Sequence, residues 1–350
     1  MSDWQHPIDP RYRYVLFPLA LLYWGVLFWR NLFYTIGFFV SKRLPCKVIS
    51  VGNLTSGGTG KTPAVIFLAR LLTDHGKKVA ILSRGYGRKS SGTQLVSNGK
   101  NTIAQWETVG DEPAMMATLL PDIPIAVDEN RFRGGVYLLE KFKPEFIILD
   151  DAFQHRSLTR DVDIVLINSQ DTRADHKLLP YGILREPWIH LQRADIIFFT
   201  KANLKKPSAF LRSKARASKV PNFLSYVITK KYLISLTGKE LPISEIKGKR
   251  ILTFSGIADP RGFLKTLQEN NIKPLKTITF RDHYTYGPTD IQLLVEQLRE
   301  NRAELIITTE KDLIKIKSLN YNGLPIYGLP IQFEPSEKSL RALKRKLELN

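Results

Sequence analysis

Residues 46–72, CKVISVGNLTSGGTGKTPAVIFLARLL, constrain the fold more than any other stretch of the chain. The run Val48 to Val51 is mostly β-branched. Gly57, Gly58 and Gly60 break it, and from Thr62 onward Val65, Leu68, Ala69 and Leu72 recur at helical spacing. The order is strand, glycine loop, helix. Glycines there let backbone N–H groups curl around a phosphate with no Cβ in the way, and the helix N-terminus adds partial positive charge. Thr55, Ser56, Gly57, Gly58, Thr59 and Gly60 are therefore expected to cradle nucleotide phosphates. Lys61 should reach the β- and γ-phosphates, and the Thr62 hydroxyl should hold Mg²⁺. The usual phosphate-loop pattern wants glycine where this chain has Thr55, so GGTGKT must do the tight turning.

From Cys46 to about Val227 strand and helix patterns alternate, with candidate strands at Lys47 to Val51, Val79 to Ser83, Ile125 to Val127, Phe146 to Asp150, Ile164 to Ile167 and Ile196 to Thr200. Near-continuous apolar strands imply a sheet covered on both faces, whose ligands collect at the carboxyl ends of the strands. The expected fold class is α/β: a phosphate-loop NTPase-like, doubly wound, mostly parallel sheet over residues 46–227, a connector at 228–249, and a second, smaller α/β domain over 250–350 that closes over the active site. Residues 1–45 form an N-terminal membrane-associated segment.

Within that segment residues 15–29 carry no charge, and after Arg30 and Asn31 the apolar run resumes to Val40. The length would suffice for a membrane span, which needs about 20 apolar residues. Basic residues flank both ends, however: Arg11 and Arg13 before, Lys42, Arg43 and Lys47 after. A single span would put one cluster on the wrong side, so the pattern favours a helix embedded in one leaflet.

The chain has 52 basic and 33 acidic residues, net +19, which points to an anionic partner. A nucleic-acid reading is disfavoured because no recognised nucleic-acid motif or interleaving of basic and aromatic residues occurs outside the apolar N-terminal segment. A membrane surface or a phosphorylated substrate remains. The single cysteine, Cys46, excludes an internal disulfide and a cysteine-built metal site.

Two acidic motifs carry chemistry. FIILDD, residues 146–151, ends a strand in Asp150 and Asp151, the pattern of a carboxylate that holds Mg²⁺ behind a phosphate loop. GDEP, residues 110–113, puts Asp111 and Glu112 at a helix start, where one of them is a candidate general base for a substrate hydroxyl. Arg84 in RGYGR, Arg131 in DENR and Arg185 in LREP are candidate clamps on substrate phosphate, because a guanidinium fork matches two oxygens, and Glu112 and His155 in QHR are further candidate substrate contacts.

VGNLTSGGTGKTP, LSRGYGR, GDEP, DDAFQHR, LLPYGILREP, RADIIFFTK, FSGIADP and TTEKD, in that order behind an apolar segment, closely resemble the tetraacyldisaccharide 4′-kinases, the lipid A 4′-kinases of Gram-negative bacteria. The resemblance implies an ATP- and Mg²⁺-dependent enzyme of lipopolysaccharide biosynthesis at the cytoplasmic face of the inner membrane. It would transfer the ATP γ-phosphoryl group to the 4′-hydroxyl of a tetraacylated glucosamine disaccharide 1-phosphate. It also implies that Asp111 is the base, aided by His283, with metal held around Asp150 and Asp151. The chain departs from the family's common pattern at Ala152, usually glycine, and at Tyr284, usually a second histidine. The competing expectation is a membrane-associated NTPase with a variant phosphate loop that acts as a switch without a small-molecule acceptor.

Overall fold

The computed structural model describes residues 12–319 and 323–349, so Arg11 of the flanking basic cluster lies outside the described residues. Fifteen strands among them form two sheets. Eight of the strands follow in chain order: β1 (Lys47–Asn53), β2 (Val79–Ser83), β3 (Gln94–Asn98), β4 (Pro124–Val127), β5 (Phe146–Asp150), β6 (Val162–Asn168), β7 (Ile196–Thr200) and β8 (Asn222–Thr229). The second group comprises β9 (Tyr232–Ser235), β10 (Glu240–Pro242), β11 (Ile251–Ser255), β12 (Lys276–Thr279), β13 (Leu305–Thr309) and β14 (Ile326–Leu329), and the chain then forms β15 (Ile331–Pro335). The helices are α1 (Arg13–Thr35), α2 (Lys61–Asp74), α3 (Trp106–Val109), α4 (Asp111–Leu119), α5 (Arg131–Phe142), α6 (Ala209–Ala217), α7 (Pro260–Glu269), α8 (Pro288–Glu300), α9 (Glu310–Lys317) and α10 (Glu337–Lys346).

The larger sheet has the order β15-β8-β7-β6-β1-β5-β2-β4-β3. Every pairing from β4 across to β8 is parallel, and the two edge strands, β3 and β15, run antiparallel to their neighbours. β2, β5, β6 and β7 are buried along their whole length, and β1 along all but its first residue. Such strands cannot face water on either side, which is why helices cover both faces. β1 lies between β5 and β6 with Val51 opposite Asp150. The glycine loop and the aspartate pair therefore leave the sheet side by side, at the carboxyl ends where an α/β sheet places its ligand.

The smaller sheet has the order β10-β9-β14-β13-β11-β12. The chain crosses between sheets twice, from β8 to β9 and back from β14 to β15, and the crossing strands pair antiparallel on each side. Residues 228–249, expected as a connector with short strands, carry β9 and β10, which form the edge of the smaller sheet. One expectation is corrected: residues 250–350 do not all belong to that sheet, because β15 and α10 return to the larger one, where Phe333, Leu343 and Leu347 join its core. An amphipathic strand and helix carry the same pattern whichever sheet they extend, so the sequence does not distinguish the two.

α1 is an inverted case of the ordinary surface helix. Only a narrow stripe, including Ala20, Leu27 and Asn31, is buried, while Tyr14, Leu22, Val26 and Trp29 are each more than half exposed. The stripe is fastened by polar bonds. The Tyr23 hydroxyl donates to the Arg185 carbonyl (2.8 Å), and Asn31 Oδ1 accepts from Arg156 (2.9 Å) and Arg193 (3.0 Å).

Candidate active site

The phosphate-loop half of the site follows from local sequence. Gly57 and Gly60 hold φ of 115° and 86°, a region where a Cβ would be strained, and Gly60 caps α2 so that Lys61 is its first residue. Asn53 Nδ2 donates to Thr59 Oγ1 at 2.9 Å and pins the loop to the end of β1. Thr62 is buried in the first turn of α2. Thr55 and Ser56 sit differently from expectation. The Ser56 N–H donates to the Ile183 carbonyl (2.7 Å) and its hydroxyl reaches the same oxygen, while Thr55 bridges to Leu184. Both are tied to the segment that carries Arg185, which removes the Ser56 donors from any phosphate.

Asp150 and Asp151 divide their work. Asp151, at φ 50°, accepts from Arg185 Nη1 at 2.9 Å on both oxygens and lies 3.7 Å from Lys61 Nζ. Burial raises its pKa, but Lys61 and Arg185 outweigh that and hold it below the usual carboxylate range. Asp150 accepts from Ser83 Oγ at 3.0 Å with one oxygen, and its Oδ1 is buried without a hydrogen-bond partner. Burial, with Glu112 and Asp151 nearby, pushes its pKa up. An unpartnered buried carboxylate oxygen beside a Lys–Thr phosphate loop fits Mg²⁺, which takes one or two carboxylates with phosphate and water oxygens. Among the described residues no group of three or more histidine, cysteine or acidic side chains is placed to hold a metal ion by itself.

The second half of the site is built across the two sheets. Asp111 opens α4 from the larger sheet, after Gly110 at φ 98°. His283, at φ 55°, follows β12 of the smaller one, and its Nδ1 lies 3.1 and 3.2 Å from the two Asp111 oxygens. Two lysines of α9 face the same carboxylate, with Lys311 Nζ at 3.6 Å and Lys315 Nζ at 3.8 Å. Lys311 also binds Glu112 Oε1 at 3.1 Å. Burial raises the Asp111 pKa, but the His283 hydrogen bond and the two ammonium groups outweigh it and hold the carboxyl at about 2. Glu112 is close enough to Asp150 to raise that carboxyl, so the Asp111 cluster adjoins the aspartate pair.

The remaining sequence candidates gather around the aspartate pair. Arg131 is almost fully buried; Nη1 donates to the Asp128 carbonyl at 2.8 Å, and Nε has no partner. Burial lowers its pKa to about 10. Burial and the fields of Arg131, Arg160, Arg30 and Arg84 depress His155 to about 4, so this imidazole is neutral at neutral pH. Arg84 is exposed nearby. Tyr284, in place of the expected second histidine, donates its hydroxyl to Asp290 at 3.1 Å and stays outside the Asp111 cluster.

The family model for Tetraacyldisaccharide-1-P 4′-kinase matches residues 12–348. The chain belongs to that family. It is similar to the tetraacyldisaccharide 4′-kinase of Aquifex aeolicus, with 38% identity over 330 residues covering 94% of this chain and 98% of the relative. Another relative, from Chlorobaculum parvum, is 40% identical over 307 residues, 87% of this chain and 84% of its own. A crystal structure of LpxK from Aquifex aeolicus in complex with ATP superposes with a TM-score of 0.78 at 37% identity, covering 96% of this chain and 98% of that one. Within the tetraacyldisaccharide 4′-kinase family frame, sequence reasoning named Asp111, Glu112 and His283 but gave no role to Lys311 or Lys315. The signal was present in TTEKD and the lysine four residues on, two cations on one helical face.

Proposed function

We infer that the chain is an ATP-dependent kinase that transfers the γ-phosphoryl group to the 4′-hydroxyl of a tetraacylated glucosamine disaccharide 1-phosphate, with Asp111 as general base. The observation that carries this reading is the pairing of Asp111 with His283 across the two sheets, beside a phosphate loop and its aspartates. A switch NTPase has no use for a buried, ionised carboxylate assembled at that place. A sugar hydroxyl is a weak nucleophile, and a positioned carboxylate that accepts its proton raises the rate about 10²–10⁴-fold.

In the proposed reaction Asp111 takes the proton of the 4′-hydroxyl as that oxygen attacks the γ-phosphorus, and the bond to the β–γ bridging oxygen breaks to release ADP. Lys61 neutralises charge on the β- and γ-phosphate oxygens, and Arg185 keeps Asp151 ionised beside it. Thr62 and Asp150 would hold Mg²⁺, which would supply further charge neutralisation on the phosphates. Arg131 and Arg84 offer guanidinium groups to phosphate oxygens on the same side.

The lipid reading rests on α1. Its exposed aromatic and aliphatic face suits the interfacial layer of the cytoplasmic leaflet of the bacterial inner membrane, with the acyl chains left in the bilayer and the sugar head group raised to Asp111. The stripe bound to the protein body, from Ala20 through Tyr23 and Leu27 to Asn31, runs along the helix, which suits a helix lying in one leaflet. Transfer of labelled γ-phosphate from ATP to detergent-dispersed tetraacyldisaccharide 1-phosphate tests the reading. Lipid-dependent transfer is expected; nucleotide hydrolysis that ignores the lipid would replace the kinase with a switch.

A further inference from the structure

His283 is held on both ring nitrogens. Nδ1 faces the Asp111 carboxylate at 3.1 Å, and Nε2 faces Lys311 Nζ at 3.4 Å. An ammonium group has three donors and no acceptor. Donation from Lys311 to Nε2 places the ring proton on Nδ1, where it is donated to Asp111; Asp282 Oδ2, 3.8 Å from Nε2, lies beyond hydrogen-bond reach. A protonated Nε2 would instead set an N–H against the ammonium. Lys311 is itself well anchored for this purpose, with Glu112 Oε1 at 3.1 Å, Asp111 Oδ2 at 3.6 Å and Asp282 Oδ1 at 3.7 Å, and its side chain is mostly buried.

We propose that Lys311 is a positioning residue that fixes His283 as the neutral Nδ1–H tautomer, so that the imidazole orients Asp111 and cannot carry away the proton that Asp111 accepts. The proposal rests on the reading of Asp111 as base. It also gives the smaller sheet a defined part in the reaction: α9 and the loop after β12 bring a lysine and a histidine that Asp111 cannot obtain from its own sheet. His283, Lys311 and Lys315 face Asp111, while Glu112 faces Lys311 and Asp282 faces both Lys311 and His283. The Tyr86 ring packs against His283 at 4.9 Å between centroids, tilted by 52°. Lys315 cannot substitute for Lys311, because it is committed to Asp312 at 2.9 Å and to the Tyr284 carbonyl at 3.0 Å.

The test combines ¹⁵N-histidine NMR with transfer kinetics on the full-length protein. The chain has six histidines, and a His283→Asn variant assigns the signals of the one in question. In the wild type at pH 7, His283 is expected to show the Nδ1–H pattern. Lys311→Met should give the other tautomer or the doubly protonated ring, lower kcat about a hundredfold as expected for a misplaced base, and leave ATP affinity unchanged. The acid limb of its rate profile should rise by about one pH unit, since an opposite charge within reach of Asp111 has gone. Lys311→Arg, which keeps the charge, should recover most of the rate, and it serves as the test if the methionine variant does not fold. An unaltered His283 pattern in Lys311→Met, or a change confined to the KM for lipid, would overturn the proposal. Failure of the underlying reading is distinguishable: Asp111→Asn would then retain wild-type transfer, whereas failure of the Lys311 proposal alone leaves Asp111→Asn inactive.

Discussion

The two halves of the site are assembled by different means. The phosphate-loop half comes from one sheet: Lys61, Thr62, Asp150 and Asp151 stand at the ends of adjacent parallel strands, and their placement follows once β1 and β5 pair. The Asp111 half is made from two sheets, with Asp111 and His283 separated by 172 positions in sequence. The first half is thus present whenever the larger sheet is folded. The second requires that the smaller sheet be docked on it. Nucleotide binding and phosphoryl transfer should consequently be separable by mutation, and only the latter should be sensitive to the fit between the sheets.

The largest expected effect is Lys61→Ala, which removes the loop ammonium and should lower transfer by about 10³-fold while weakening ATP binding, measured by transfer assay and nucleotide titration. His283→Ala acts on the other half only. It should cut transfer by about 10²-fold with ATP affinity retained, and equal losses in both quantities would erase the distinction drawn here.

The dependence on pH follows from the low pKa of Asp111. Its folded value, about 2, lies below that of an unfolded aspartate, so the stability it contributes is fully present above about pH 4 and is lost as pH falls toward 2. The size is of order 2 kcal/mol. Thermal unfolding of wild type and Asp111→Asn should converge only as the pH falls to about 2. Convergence at pH 6 instead would mean that the carboxylate is not held ionised by its partners.

Arg185→Lys sharpens the comparison from the first half. Loss of the guanidinium contact to both Asp151 oxygens should reduce transfer by about tenfold, as for one charge-assisted bond worth roughly 1.5 kcal/mol. The smallest effect on chemistry belongs to α1. Replacing Trp24 and Trp29 by Lys should abolish binding to phospholipid vesicles while transfer to detergent-dispersed substrate stays within about twofold, because neither ring touches the site.

The same contrast explains what the sequence discloses. A phosphate loop is legible because strand, glycines and helix are contiguous, and FIILDD because the strand and its terminal acids are read together. The placement of Ser56 is not legible, because the loop pattern does not reveal that the Ile183 carbonyl takes its backbone and hydroxyl donors. Lys311 and Lys315 are visible as two cations on one helix face, but their partner lies about 200 positions away, and no local periodicity records a contact of that kind. The edge strand β3 is weakly apolar and short, and β15 carries the pattern of either sheet.

The central claim is that Asp111 is the base. The most direct measurement is single-turnover transfer by Asp111→Asn, made alongside a nucleotide titration of the same preparation. Transfer should fall by at least about a hundredfold with ATP affinity unchanged. Transfer at the wild-type rate would contradict the account and leave the pairing of Asp111 with His283 as a fastening between the two sheets.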